Sequence, residues 1–371
     1  MSGVLPPLPS IPTDVVAVSD YEGLARERMS ASAWAYLEGG SADELTLADN
    51  LAAFRRVRLA GRVLADLAAG HTRLELFGDD FAHPILLAPV ALHKLAHEHG
   101  EIASALGASA MRAGMVVSTE ASVPLEAIAD VARTPQWFQL YIQADRDYTL
   151  SLVRRAEAAG YRALVVTVDA PVSGVRNREQ RAGFVAPAGI DAVNLRGMQQ
   201  PPVHVARAGE NAFFGSPLPA AAPTWNDIAW LAASTRLPIV LKGILAPADA
   251  ERALAHGAAG IVVSNHGGRT LDTLPATIDA LPPVARAVRG RAPILLDGGI
   301  RRGSDVLKAL ELGADAVMIG RAYLHGLAAA GAPGVAHVLQ ILHAELEVAM
   351  ALTGCRTLAD IDEGVIWRAG G

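Results

Sequence analysis

Residues 260–321 read GIVVSNHGGRTLDTLPATIDALPPVARAVRGRAPILLDGGIRRGSDVLKALELGADAVMIGR. Three apolar runs stand in this stretch, Gly260–Ser264, Pro293–Leu296 and Ala316–Ile319, and glycines and polar residues follow each of them. A helical pattern, Gly303–Leu312, separates the last two. The runs lack the alternation of a half-exposed strand, as expected of parallel strands buried on both faces. The same rhythm extends back to residue 84. Five further runs fit it: Ile85–Ala88, Met115–Ser118, Trp137–Tyr141, Ala163–Val168 and Pro238–Lys242. Helical patterns such as Glu101–Arg112, Thr149–Ala159 and Pro247–His256 lie among them. Eight strand-then-helix units predict an α/β chain folded as a (β/α)8 TIM barrel, with a doubly wound sheet as the weaker alternative.

The barrel is placed at 84–345, inside a single domain of 1–371 that is within reach of one α/β barrel. Before it, 1–80 reads as an N-terminal helical segment. There an amphipathic Tyr21–Tyr36 stretch meets Gly39-Gly40-Ser41 as stop and cap, and Glu44–Phe54 forms the next helix. After it, 346–371 is a C-terminal segment. The connection 177–222 breaks the rhythm, with Pro187, Pro201, Pro202, Pro217 and Pro219 and little periodicity. It follows the fourth strand, so it reads either as a lid over the catalytic face or as a tolerated surface insertion.

With 51% hydrophobic and 19% charged residues the chain is not disordered. A net charge of −6 gives no electrostatic footprint for nucleic acid or an anionic membrane. The one cysteine, Cys355, excludes an intramolecular disulfide and a multi-cysteine zinc site, and no metal site is read. Met1–Asp14 lacks the pattern of a secretory signal. The uncharged stretch Ala322–Ala344 is long enough to span a bilayer. Its histidines and the Gly331-Ala332-Pro333-Gly334 breaker make it two soluble helices joined by a turn. A soluble, cytoplasmic protein is expected.

Barrel chemistry sits at the C-terminal ends of the strands, and polar residues collect there. Strand two ends in Ser118-Thr119-Glu120, and strand three carries Gln139 and Tyr141. Strand four ends in Thr167-Val168-Asp169, strand five in Lys242-Gly243, and strand six in Ser264-Asn265-His266-Gly267-Gly268-Arg269. Asp297-Gly298-Gly299 and Gly320-Arg321 close the last two. Lys242 is one of only three lysines, with Lys94 and Lys308, and it ends an otherwise apolar strand. Taken singly, His266 could be structural, Asp169 a turn cap, Arg176 a loop charge and the glycines mere turns. Together, the glycines after strands seven and eight, with Arg301 and Arg321, are where barrels build a phosphate site. The residues alone therefore give a phosphate site, a proton-transfer histidine and anion-binding arginines. A flavin-free barrel lyase or isomerase acting on a sugar phosphate, and a silent phosphate- or flavin-binding barrel, remain open at this point.

The stretch Ser264-Asn265-His266-Gly267-Gly268-Arg269-Thr270-Leu271-Asp272 resembles the signature of the FMN-dependent L-2-hydroxy-acid oxidases and dehydrogenases. That family includes glycolate oxidase, lactate oxidase, mandelate dehydrogenase and hydroxymandelate oxidase. The resemblance runs from Tyr21 to about Ile361. It is supported by Ala88-Pro89, Phe138-Gln139-Leu140-Tyr141, Thr167-Val168-Asp169-Ala170-Pro171, Leu241-Lys242-Gly243, Leu296–Arg302 and Ile319-Gly320-Arg321.

The resemblance implies a role for each matching residue. His266 would be the base as a hydride or its equivalent passes to flavin N5, and Asp169 would stabilise the imidazolium. Arg269 and Arg176 would clamp the substrate carboxylate, each bond worth about 1.5–3 kcal/mol. Tyr36 would assist them, and Tyr141 would meet the hydroxyl. Lys242 would favour the anionic reduced flavin. FMN would lie on Pro89, Val90 and Ala91, with Ser118, Gln139, Thr167 and Ser264 at its polar edge. Its phosphate would meet Asp297, Gly298, Gly299, Arg301, Gly320 and Arg321. The partners implied are an L-2-hydroxy acid, O2 or another electron acceptor such as a quinone, and further copies of the chain in a homotetramer. Nucleic acid and membrane are not among them. Two residues depart from glycolate oxidase. Glu120 replaces a bulky aromatic and Ser173 a leucine; both would line the side-chain end of the substrate pocket, unless the local loop turns Glu120 outward.

Overall fold

The computed structural model describes residues 4–198, 207–211 and 213–368. Three helices come first: α1 (Asp20–Glu27), α2 (Ala31–Glu38) and α3 (Leu45–Arg56). An antiparallel hairpin follows, β1 (Leu74–Leu76) with β2 (Asp79–Phe81). The next strands are β3 (Ile85–Leu87), β4 (Met115–Val117), β5 (Gln136–Leu140) and β6 (Leu164–Thr167). They are followed by β7 (Ile239–Ile244), β8 (Gly260–Val263), β9 (Ile294–Asp297) and β10 (Ala316–Ile319). All eight pair in parallel, and the sheet closes where β10 meets both β9 and β3. The expected TIM barrel is present, each strand within one or two residues of its expected place.

The alternation hidden in the sequence becomes visible as two cores. Leu86, Val116, Trp137, Val165, Val240, Val262, Leu295 and Met318 fill the barrel interior. Their neighbours Ile85, Leu87, Met115, Val117, Leu164, Val166, Ile261 and Val263 pack outward under the helices. Both faces are apolar because both are buried, so no period of two survives. The helices after β3 are α4 (Gly100–Ala110), α5 (Leu125–Val131), α6 (Arg146–Ala158), the short α7 (Asn177–Arg181) and α8 (Leu218–Ala221) of the long connection, and α9 (Trp225–Ser234). Beyond them come α10 (Pro247–Ala255), α11 (Thr277–Val288), α12 (Gly303–Glu311) and α13 (Arg321–Leu352).

The N-terminal segment is less helical than expected. Helix ends at Arg56, and Tyr21–Tyr36 is two helices, the second capped by Ser30, whose Oγ accepts from the Ala33 N–H at 3.1 Å. Ser41 does not cap; its hydroxyl donates to the carbonyls of Val175 and Thr270. The β1–β2 hairpin turns at Phe77 and Gly78, both at positive φ (53° and 80°), as a two-residue turn of the I′ kind requires. Leu and Glu in the hairpin hide it in the sequence, since both favour helix. Phe77 and Phe81 stack edge-on against Trp137 at 5.4 and 6.2 Å and plug the N-terminal mouth of the barrel.

The connection 177–222 is not structureless. It holds α7, a 3-10 turn at Val193–Leu195 and α8, while Pro201 and Pro202 lie outside the described residues. Asn194, buried, ties it down: its carbonyl accepts from the Tyr148 hydroxyl at 2.8 Å and its side-chain oxygen from the Leu125 N–H at 3.1 Å. Ala322–Ala344 lies within α13, where non-helical Ala330 and Gly331 divide two helices as the breaker predicted. Residues 322–331 are all buried. Helix continues past 346 to Leu352, and an isolated bridge joins Leu59 to Ile366 near the end of the described chain.

Candidate active site

Three successive residues after β8 have left-handed backbone: His266 (φ 58°), Gly267 (63°) and Gly268 (72°). The glycines tolerate this freely; the histidine is strained by about 1–2 kcal/mol. Local bonds hold the turn. The His266 N–H donates to Ser264 Oγ at 3.0 Å and the Gly268 N–H to the Asn265 carbonyl at 2.9 Å. Asn265 and Asn50 of α3 exchange amide bonds at 2.9 and 2.8 Å, which docks the N-terminal helix on the strand end. The strained turn aims the imidazole at Asp169, whose Oδ1 lies 2.8 Å from Nδ1. Nε2 is left to face the Tyr141 hydroxyl at 3.4 Å.

Burial and the nearby Lys242 charge hold the His266 pKa below its ordinary value, against the opposing pull of Asp169. Burial would raise the Asp169 pKa, but His266 and Lys242 outweigh it and keep it low. A neutral imidazole backed by a carboxylate is a competent general base near neutrality. Gly243 makes the pair possible. The β7–β8 register shifts between Lys242 and Ile244, and Gly243 sits at φ 109°. A Cβ there would lie 2.5 Å from Asp169 Cβ.

Lys242 is buried, with Nζ 3.1 Å from Asp297 Oδ2 and 2.9 Å from Ser264 Oγ. Burial lowers its pKa, yet Asp297 and Asp169 outweigh that and raise it. The Asp297 carboxylate pairs with Lys242 through Oδ2, its Oδ1 is buried without a partner among the described residues, and the residue lines the cleft beside Gly298. Ser264 supports Lys242 and the His266 N–H and does not line the cleft.

The cleft is a cavity of ≈ 170 Å³ that opens towards solvent. Pro89, Val90 and Ala91 form one wall; Ser118, Gln139, Thr167 and Lys242 line it too. Gln139 is held by the Thr119 N–H at 3.1 Å and donates to Thr167 Oγ1 at 3.0 Å, so its amide is fixed. Gly298, Gly299, Gly320, Arg301 and Arg321 line the far end. Gly299 must be glycine, since φ is 83° and a Cβ would lie 2.0 Å from the Asn50 carbonyl. Arg321 donates to the carbonyls of Leu37, Gly267 and Gly39. Burial drops its pKa to about 10, partly offset by Glu38. Glu38, missed in the sequence, pairs with His325 at 2.7 Å. Two half-buried guanidiniums beside glycine N–H groups form a cradle for a phosphate, and the flat wall with its fixed amide fits a flavin ring. These residues fit FMN.

Across the cleft, Arg269 Nη1 donates to the carbonyls of Tyr36 (2.7 Å) and Gly39 (2.8 Å). Its guanidinium centre lies 5.2 Å from the Tyr36 ring. Arg176 pairs with Glu179 at 3.0 Å, and Phe184 stacks on Tyr36 at 4.4 Å. No periodicity marks Glu179 or Phe184, which lie in the irregular connection. Glu120 turns inward, lining both this cleft and an adjoining outer chamber. Its carboxyl acts electrostatically on Tyr36 and Tyr141 and is itself acted on by Arg176 and Arg269. Ser173 is exposed and lines only the outer chamber, not the inner pocket. Apart from Ser264 and Ser173, and from Asp169, which stands behind His266, the expected groups line one cavity at the C-terminal end of the barrel.

The arrangement offers a base, a carboxylate clamp and a flavin-shaped cleft, and known proteins share its frame. A family model described as FMN-dependent dehydrogenase matches residues 25–368. The chain is 49% identical to the L-lactate oxidase of Alicycliphilus denitrificans, covering 96% of this chain and 97% of that protein. It is 44% identical to a peroxisomal (S)-2-hydroxy-acid oxidase of Oryza sativa subsp. japonica, covering 96% of each. A solved structure of mandelate oxidase with (S)-2-phenylpropionate superposes with a TM-score of 0.85 at 41% identity, covering 95% of this chain and 98% of that one. The chain belongs to the FMN-dependent dehydrogenase family.

Proposed function

We propose that this protein oxidises an L-2-hydroxy acid to the 2-oxo acid with O2 as final acceptor, giving one hydrogen peroxide for each substrate oxidised. The observation that carries the reading is the His266–Asp169 pair opening on the same cleft as Arg269, Arg176 and Tyr36. The names of the relatives, L-lactate oxidase and (S)-2-hydroxy-acid oxidase, support it. When bound, FMN supplies the acceptor for the two electrons that leave the α-carbon.

The protein's own residues do the rest. Pro89, Val90 and Ala91 back the flavin ring, and Gly298, Gly299, Gly320, Arg301 and Arg321 hold its phosphate. Lys242 places a fixed positive charge by the ring. Arg269 and Arg176 seat the substrate carboxylate, with Tyr36 beside them. The Tyr141 hydroxyl, 3.4 Å from His266 Nε2, marks where the substrate hydroxyl sits. Nε2 takes its proton, and Asp169 stabilises the imidazolium through Nδ1–H. A homo-oligomer in the cytoplasm is part of the same proposal. The test is peroxide release with L-lactate, glycolate and L-mandelate under air. One peroxide for each 2-oxo acid is expected. Flavin bleaching without peroxide would replace O2 with another acceptor, and no bleaching by any acid would remove the reading.

A further inference from the structure

The half-buried Glu120 carboxylate faces open space. No described residue donates a hydrogen bond to it, although its backbone N–H is bonded to Ser118 Oγ at 3.0 Å. It stands where the inner cleft joins an outer chamber, and both are lined by Glu120, Tyr141, Arg176, His266 and Arg269. A substrate held by its carboxylate on the arginines, with its α-carbon at His266, would send its side chain past Glu120 into that chamber. The chamber is roofed by apolar groups of the 177–222 connection, among them Leu195, Met198 and Leu218. Among its described lining residues the charges outside the clamp are both negative, Glu120 and Asp145.

Charge balance sharpens this. The clamp's two guanidiniums already meet two carboxylates: Glu179, on Arg176 at 3.0 Å, and Glu120, within electrostatic reach of both arginines. A monoanionic substrate adds uncompensated negative charge beside these half-buried groups, and a diacid adds more. A substrate whose side chain ends in a cation adds none. Burial raises the Glu120 pKa against the pull of Arg176 and Arg269, the behaviour of an acid still lacking a close partner.

Resting on the proposed oxidase reading, we infer that Glu120 selects L-2-hydroxy acids with a basic side chain, an ammonium or guanidinium, over short apolar acids and diacids. The test is anaerobic reduction of the FMN holoenzyme by L-2-hydroxy-6-aminohexanoate, by its N6-acetyl derivative, by L-2-hydroxyheptanoate and by L-malate. The parent should favour the amine over the uncharged isostere in kcat/KM by roughly ten- to a hundredfold, the range of a charge-assisted bond. Malate should be slowest. Acetylation should remove the preference in the parent itself, so the result does not depend on any variant folding. Glu120→Gln should bring the amine-to-isostere ratio near one. Equal rates for amine and isostere in the parent, or a ratio that survives Glu120→Gln, would overturn the selectivity and leave the oxidase reading standing. If no acid bleaches the flavin, both fall together.

Discussion

His266 occupies a backbone conformation that a β-carbon disfavours, and the strain is held by Ser264, Asn265 and Asn50. Asp169 raises its imidazole pKa while burial and Lys242 lower it. Asp169→Asn therefore has a signed consequence. Reduction should slow by roughly 10²–10⁴-fold, because the imidazolium loses its partner. The acid limb of kcat/KM should move to lower pH, since the group that raised the pKa is gone. A limb that moves up would mean that another charge sets the histidine. Arg269→Lys keeps the charge but cannot bond Tyr36 and Gly39 and also present a planar fork. Its KM should rise roughly 10–100-fold while FMN stays bound, measured by flavin absorbance and steady-state kinetics. Most of the candidate site was legible because polar residues ended apolar strands. What was hidden was side-chain direction. Asp297, Ser264, Ser173 and Glu120 each sit at a readable position, yet whether they face Lys242, the His266 turn, the outer chamber or the clamp is decided by partners distant in sequence.

Among the elements, the β7 bulge at Lys242-Gly243 leaves the room that Asp169 occupies. Gly243→Ala puts a methyl 2.5 Å from Asp169 Cβ at a φ of 109°. It should displace Asp169, lowering the reduction rate as Asp169→Asn does while the FMN content is retained; an unimpaired variant would show that the loop can give. The eight strands were readable because a run buried on both faces needs no partner information. The β1–β2 hairpin and Asn194 were not. Leu and Glu in the hairpin favour helix locally, and only packing on Trp137 overrides that. Asn194 organises its connection through bonds to Leu125 and Tyr148, a tertiary fact without a local pattern.

For the whole molecule, barrel closure brings residues from Tyr36 to Arg321 around one cleft, and the N-terminal helices complete it through Asn50, Tyr36 and Glu38. Glu38 reports on that docking. Although burial opposes ionisation, His325, Arg321 and Arg301 hold its pKa near 2, against an ordinary 4.5. A depressed carboxyl pKa stabilises the fold fully above pH 4.5 and loses that contribution as pH falls towards 2, about 3 kcal/mol in all. Acid denaturation should therefore be less steep in that window for Glu38→Gln; an unchanged curve would detach Glu38 from the docking of α2. If His266 moves the proton of an L-2-hydroxy acid at an FMN site, loss of its imidazole stops flavin reduction. Stopped-flow mixing of anaerobic L-lactate with His266→Ala and the parent tests it most directly. Both should carry FMN, and the parent's flavin band should bleach while the variant bleaches several orders of magnitude more slowly, beyond the ~10²–10⁴ of ordinary general-base catalysis. Reduction of the variant at a rate close to the parent's would contradict the account.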